Sequence, residues 1–425
     1  MPLRYAPAMT DQAPPDRNGG EADRRLAHEA WKPGTIAVHA GHHPDELTGA
    51  VSPPIYQTST FAQDAVGRPR GGWEYARTGN PTRSRLEEAV ALLEGAAHGL
   101  AFASGAAATA TVAALALPGD EVLVSDDVYG GTYRLFEQVL KPIGVVTRYI
   151  DLSRDAVATL DAHLGDKTRL VWIESPSNPL LKLIDIAAVA ARAHEQKGAR
   201  GAAPIVVVDN TFASPLIQRP IDLGADIVFH SATKYLAGHS DTINGVLATS
   251  HDDLFERLKF LQNAVGAVPG PFDCFLVLRG LRTLQLRVER HSSNAARVAD
   301  ALAERRDVAF LRYPGIRKGA HQHPQHELAA RQMRYAGGMV VFVPAETRDH
   351  SAEQRAHRFC ESTRLFTLAE SLGGVESLVE IPHGMTHGSV KGSPLEIPPA
   401  LVRLSVGIED PDDLVADISQ ALDRA

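Results

Sequence analysis

Between residues 100 and 250 the chain alternates short apolar runs with stretches whose apolar positions recur every three or four residues. The runs at 100–103, 121–125, 145–151, 170–174, 205–209, 227–230 and 245–248 are rich in Val, Ile and Leu, and several are apolar at nearly every position. A strand that is apolar on both faces needs cover on both, as inside a parallel sheet flanked by helices. Helical periodicity fills most of the gaps, as at 81–93 and 186–196. The alternation predicts a mostly parallel, doubly wound α/β sheet. Beyond about residue 280 the pattern loosens into a long helical period at 284–304, a short strand at 339–342 and further helices. It predicts a smaller second domain. Residues 1–33, rich in Pro, Gly, Asp and Arg, read as a disordered extension. Residues 35–63, broken by Ser52-Pro53-Pro54, read as an irregular arm. The expected units are the extension 1–33, an arm 34–75, a sheet domain 76–283 and a small domain 284–425.

Composition narrows the classes. The chain has 425 residues, 44% of them hydrophobic, enough for a full core in two or three structural units. Forty-three basic against 51 acidic residues give a net charge of −8, with no long basic run. Such a surface has no electrostatic drive toward nucleic acid or an anionic membrane. No apolar stretch is long enough to span a bilayer, and residues 1–25 lack the apolar segment of a secretory signal. The only cysteines, Cys274 and Cys360, predict buried small hydrophobes, not a disulfide framework or a metal centre. A cytoplasmic protein without a metal is expected.

Three segments carry candidate chemistry. The run Ile205-Val-Val-Val-Asp209 ends in a carboxylate, where open α/β sheets bind ligands. Taken alone, Asp209 reads as a turn or cap residue. The run ending in Ser231-Ala-Thr233-Lys234 closes on two hydroxyls and a lysine. A lysine just after a buried strand is partly desolvated, hence nucleophilic toward an aldehyde, although most lysines snorkel to solvent. In Ser104-Gly105-Ala106 a tight turn opens an Ala-rich helix, whose free N–H groups suit an anion or merely permit close packing. Together they supply a phosphate cradle, a carboxylate and an amine at one sheet edge. Pyridoxal 5'-phosphate needs all three: donors for its phosphate, an acid for its pyridine nitrogen and an amine for its aldehyde. Tyr129, in Asp127-Val-Tyr-Gly-Gly, is placed to stack on the ring.

Further segments extend the pattern: Glu74-Tyr-Ala-Arg-Thr-Gly-Asn-Pro, Trp172-Ile-Glu-Ser-Pro-Ser-Asn-Pro, His230-Ser-Ala-Thr-Lys-Tyr, Phe366-Thr-Leu-Ala-Glu-Ser-Leu-Gly-Gly and Val402-Arg-Leu-Ser-Val-Gly. With these, the chain from about Thr35 onward resembles the Cys/Met-metabolism family of pyridoxal-phosphate enzymes. The resemblance implies fold type I, with a seven-stranded, mostly parallel sheet, helices on both faces and a small C-terminal α+β domain. It implies Lys234 as the Schiff-base lysine and Asp209 as partner of the pyridine nitrogen. Tyr129 would stack on the ring and act as an acid. Gly105, Ala106, Ser231 and Thr233 would hold the phosphate. Tyr75 and Arg77 would reach it from a neighbouring subunit, in a homotetramer built as a dimer of dimers with shared sites. Arg403, Asn178, Ser371, Glu370 and Arg134 would bind an amino-acid substrate.

Within the family, Gly131 stands where methionine γ-lyases typically carry a reactive cysteine. Glu370 stands where cystathionine β-lyases usually carry an aromatic residue. The resemblance is strongest to the γ-lyase branch, implying γ-elimination of cystathionine; the alternative is γ-replacement on an O-acylhomoserine, as in a γ-synthase or sulfhydrylase. Two departures stand out: Ala106 replaces a commonly larger apolar residue, and the segment from Met385 to Arg403 is short and Pro-rich. His321-Gln-His323-Pro-Gln-His326 has metal-like spacing but also occurs in members of the family without a metal. The arginines of 278–290 read as a basic helix on a solvated or subunit-facing surface.

Overall fold

Each of the seven apolar runs forms a strand of one sheet in the computed structural model, which describes residues 31–425. The strands are β1 (His98–Phe102), β2 (Glu121–Ser125), β3 (Val146–Ile150), β4 (Thr168–Glu174), β5 (Ile205–Asp209), β6 (Ile227–Ser231) and β7 (Gly245–Thr249). Their order is β1-β7-β6-β5-β4-β2-β3. β7 runs antiparallel to both β1 and β6, while β2 to β6 pair in parallel, so the carboxyl ends of β2 to β6 share one edge.

The continuous apolar runs have a physical reason. Along β5, Val206 and Val208 face one layer, where they pack with Ile186, Val189 and Ala193 of a helix at Ile186–His194. Val207 faces the other, with Trp172, Phe229, and Ala108 and Val112 of a helix at Gly105–Ala113. Both faces are dry, so alternation is lost. Local signals set the helix ends. The helix Pro81–Glu94 starts with Asn80 accepting from the Thr82 and Arg83 N–H groups and Pro81 at the first position. It stops at Gly95 in the left-handed conformation.

A second sheet has the order β8-β9-β12-β11-β10, from β8 (Val308–Arg312), β9 (Met339–Pro344), β10 (Thr367–Leu368), β11 (Leu378–Glu380) and β12 (Val402–Ser405). The helix Leu284–Ala303 joins the two halves: Leu284 and Val288 pack into the core beside the first sheet, while Ala295, Val298, Ala299 and Leu302 pack under the second.

Three expectations need correction. The basic stretch 278–290 is not one helix: the chain breaks at Arg282–Thr283, between helices Pro271–Leu281 and Leu284–Ala303. Arg287 is buried, not solvated, and donates to the carbonyls of Tyr235, Leu236 and Gly280. The stretch 35–63 is not wholly irregular, since Pro33–His39 is a helix. The extension expected over residues 1–33 lies outside the described residues as far as residue 30. No helix among the described residues is long and apolar enough to cross a membrane.

Candidate active site

The carboxyl edge of the first sheet meets the second sheet at a chamber of about 620 Å³. Asp209 reaches it from the end of β5, its Oδ1 accepting the Thr211 N–H at 2.9 Å. Burial pushes its carboxyl above the ordinary aspartate range. After β6 the chain turns tightly, with the Lys234 N–H donating to the Ser231 carbonyl at 3.1 Å, and this turn aims Lys234 into the chamber. Its Nζ donates to Ser371 Oγ at 2.7 Å. Burial first, then the nearby Arg403 guanidinium, push the amine down to about 8.

Arg403 projects from β12 and is 3% exposed. Its Nη1 donates to Asn178 Oδ1 and its Nη2 to the Ser371 carbonyl, each at 2.9 Å. Ser371 thus meets the amine with its hydroxyl and the guanidinium with its carbonyl. It does so at φ +92°, a conformation that L residues rarely adopt and that costs energy to hold. The next turn is packed tightly behind it: a Cβ on Gly373 would lie 2.8 Å from the Tyr235 nitrogen.

Tyr129 caps the helix Gly130–Leu135 and is 43% exposed. Gly131 gives its ring room, since a Cβ there would lie 2.3 Å from the ring. His387 meets that ring edge-on, with centroids 6.4 Å apart. It comes from the Pro-rich segment before Arg403, which folds down on the site: Ser389 Oγ donates to the Gly130 carbonyl at 2.7 Å. Burial pushes His387 down to about 4, so its imidazole is neutral at neutral pH.

Gly105 and Ala106 open the helix Gly105–Ala113, where N–H groups have no acceptor within the helix. Ser104 caps that helix by accepting the Ala107 N–H. Gly105 presses on the end of β6, where a Cβ would fall 2.8 Å from Ser231 Cβ. The Thr233 hydroxyl donates to the Asn244 carbonyl at 3.2 Å.

The expected residues Lys234, Asp209, Tyr129, Gly105, Ala106, Ser231, Thr233, Arg403, Asn178, Ser371, Glu370 and Arg134 therefore line one chamber. Tyr75 and Arg77 do not. Tyr75 is half exposed, and Arg77 covers its ring while donating to the Asn263 carbonyl at 2.9 Å. His323 is buried against the Leu181 carbonyl, with Nε2 2.9 Å from that oxygen.

Sequence reasoning missed two carboxylates. Glu174 ends β4 and lies beside Asp209 on the neighbouring strand. It was open to the same strand-end rule that singled out Asp209. Glu380, on β11, faces Arg403 across the sheet with 3.0 Å between Oε2 and Nη2, and no local pattern marks it. The chamber fits pyridoxal 5'-phosphate on its own geometry. It combines a desolvated amine, a strand-end carboxylate, a helix start with free N–H groups, and an exposed aromatic face.

Comparison with known proteins agrees with that chemistry. The family model described as "Cys/Met metabolism PLP-dependent enzyme" matches residues 34–423. A cystathionine γ-synthase of Mycobacterium tuberculosis is 51% identical over 403 residues, covering 94% of this chain and all of that protein. A cystathionine γ-lyase of Dictyostelium discoideum is also 51% identical, over 93% of this chain and 98% of that one. The crystal structure of metB from Corynebacterium glutamicum superposes with a TM-score of 0.88 at 46% identity, covering 93% and 99% of the two chains. With a desolvated lysine and a strand-end carboxylate facing one chamber, and a match along nearly its whole length, the protein belongs to the Cys/Met-metabolism family of pyridoxal 5'-phosphate-dependent enzymes, with their fold type I architecture.

Proposed function

We propose that the protein carries out γ-elimination of cystathionine, releasing cysteine, 2-oxobutanoate and ammonia. The observation that carries the amino-acid chemistry is the convergence of Lys234 and Arg403 on Ser371. A substrate α-carboxylate held by Arg403 and Asn178 sets its α-carbon beside the Lys234 amine. A planar guanidinium suits a carboxylate by offering two parallel donors. With the amine near pKa 8, much of it is uncharged at mildly alkaline pH and able to take the α-proton.

Pyridoxal 5'-phosphate, when bound, supplies the electron sink for that step. Gly105, Ala106, Ser231 and Thr233 would hold its phosphate, and Asp209 would keep its ring nitrogen protonated. Tyr129 would cover the ring and supply the proton that leaves with the γ-sulfur. Arg134 lines the same wall.

Cystathionine carries a second amino-acid head, and the outer mouth of the site suits its ammonium. Glu370 lines both the chamber and an adjoining cleft, where Asp241, Asp273 and Glu376 add three more carboxylates. A second reading is γ-replacement on an O-acylhomoserine, supported by the 51% identity to the mycobacterial γ-synthase. The test is product analysis with cystathionine alone and with O-succinylhomoserine plus cysteine. Release of 2-oxobutanoate from the first is expected; cystathionine formed from the second, without turnover of the first, would establish the alternative.

A further inference from the structure

Glu174 takes no part in the roles assigned so far, yet it lines the chamber and holds two of the residues that do. It is 4% exposed. Its Oε2 accepts the backbone N–H of Tyr129, and its Oε1 accepts the backbone N–H of Asn178, both at 2.9 Å. Those residues belong to different loops, one following β2 and one following β4. Its Cα is in register with that of Asp209 on the adjacent parallel strand, so the two carboxylates leave the same face of the sheet side by side. Trp172, two residues earlier on that face, is in contact with Phe229, so the carboxylate stands at the end of a packed aromatic floor.

This is an expensive arrangement. A buried carboxylate loses its hydration, and a second carboxylate beside it adds repulsion. Burial and Asp209 together push Glu174 well above the ordinary carboxylate range. Two N–H donors offset part of that cost. A strand end that served packing alone would be more stable with an apolar side chain.

We propose that Glu174 is a positioning residue that fixes Tyr129 and Asn178 against Asp209 through its two backbone hydrogen bonds. Tyr129 would then be held in place to cover the cofactor ring, while Asn178 holds the Arg403 guanidinium. The loop bearing Asn178 is braced from its other side by Asp127, which accepts from the Ser177 hydroxyl and from the Leu180 N–H. Glu174 thereby joins the cover of the ring to the grip on the substrate carboxylate. The inference rests on the functional reading above and names a further residue for it.

The test compares wild type, Glu174→Gln and Glu174→Asp as holoenzymes. Glutamine keeps the shape but offers one acceptor, setting an NH2 group against the other N–H. Aspartate keeps the carboxyl group but is one methylene short. Wild type must show the visible absorbance and circular dichroism of bound cofactor; without them the cofactor reading itself fails, whatever the variants do. Given those bands, folded Glu174→Gln should keep its absorbance but lose circular dichroism intensity as Tyr129 loosens. Its kcat/KM should fall roughly ten- to a hundredfold, the usual loss when a buried hydrogen-bond donor is left without its acceptor, with both KM and kcat affected. Glu174→Asp should lie between the two. Normal kcat, KM and circular dichroism in either folded variant would overturn the proposal. So would a loss of thermal stability alone, with normal kinetics in the folded fraction.

Discussion

Glu380 and Arg403 face each other across the antiparallel pair β11–β12, with Oε2 3.0 Å from Nη2, and both are almost fully buried. The contact is an ion pair, not a well-aligned hydrogen bond; the alignment of Arg403 comes from Asn178 Oδ1 and the Ser371 carbonyl. Glu380 is itself held by the Thr386 hydroxyl at 2.8 Å. The substrate-binding guanidinium we propose is therefore carried into the interior with its counter-charge. Removing that counter-charge leaves a buried cation unpaired, which costs about 3–5 kcal/mol. Glu380→Ala should lower unfolding free energy by about that amount in denaturant titration, and Glu380→Gln by less. A loosened Arg403 should also raise KM for cystathionine roughly tenfold, equivalent to about 1.4 kcal/mol. Unchanged stability and KM in Glu380→Ala would mean that Arg403 does not depend on its partner.

The Lys234 amine yields a pH prediction. Its affinity for a proton is pushed down to about 8 by burial and by Arg403. Only the uncharged amine attacks an aldehyde. Capture of pyridoxal 5'-phosphate by the apoenzyme, followed by the rise of its visible absorbance, should therefore speed up with pH through a midpoint near 8. Taking away a neighbouring positive charge makes the protonated amine easier to form. Arg403→Met should move the midpoint upward, toward the ordinary lysine value. A midpoint that stays fixed in this variant would remove Arg403 as a cause.

Much of the fold could be read from the chain, because seven short runs, several of them near-continuously apolar, alternate with helical stretches and leave few alternatives to a sheet covered on both faces. The second sheet was harder. Three of its strands have only two to four residues, and in Val402–Ser405 the apolar run is broken by Arg403 and Ser405, whereas Met339–Pro344 is apolar throughout. Arg287 was misread because arginines at 279, 282, 287 and 290 look like a solvated stripe. The break at Arg282–Thr283 turns the second helix so that Arg287 points inward, onto the carbonyls of the residues just after Lys234. Lys234, Asp209 and Gly105 were legible because each ends or follows a strand in a recognisable way. Glu380 was not, because its meaning lies in cross-strand register with a residue 23 positions away.

Tyr75 and Arg77 lie outside the chamber, and among the described residues that line it the cations are Arg134, Lys234 and Arg403. The helix start at Gly105 offers N–H donors to a phosphate but no full positive charge. We propose that a second subunit supplies Tyr75 and Arg77 there. Arg77→Ala and Lys234→Ala proteins, each inactive alone, should then recover activity when mixed and reassembled, because one site of each hybrid pair keeps both groups. Verified hybrids with no activity would mean that Arg77 serves only its own chain, where it braces the loop at Asn263.

The central claim is that Lys234 is the amine that takes up the cofactor. Reduction of the holoenzyme with borohydride makes that linkage permanent, and proteolysis followed by mass spectrometry locates it. The account predicts a pyridoxyl-phosphate adduct on the peptide containing Lys234, and its loss, together with the visible absorbance, in Lys234→Ala. An adduct on any other lysine, or none in a protein that turns over substrate, would contradict it.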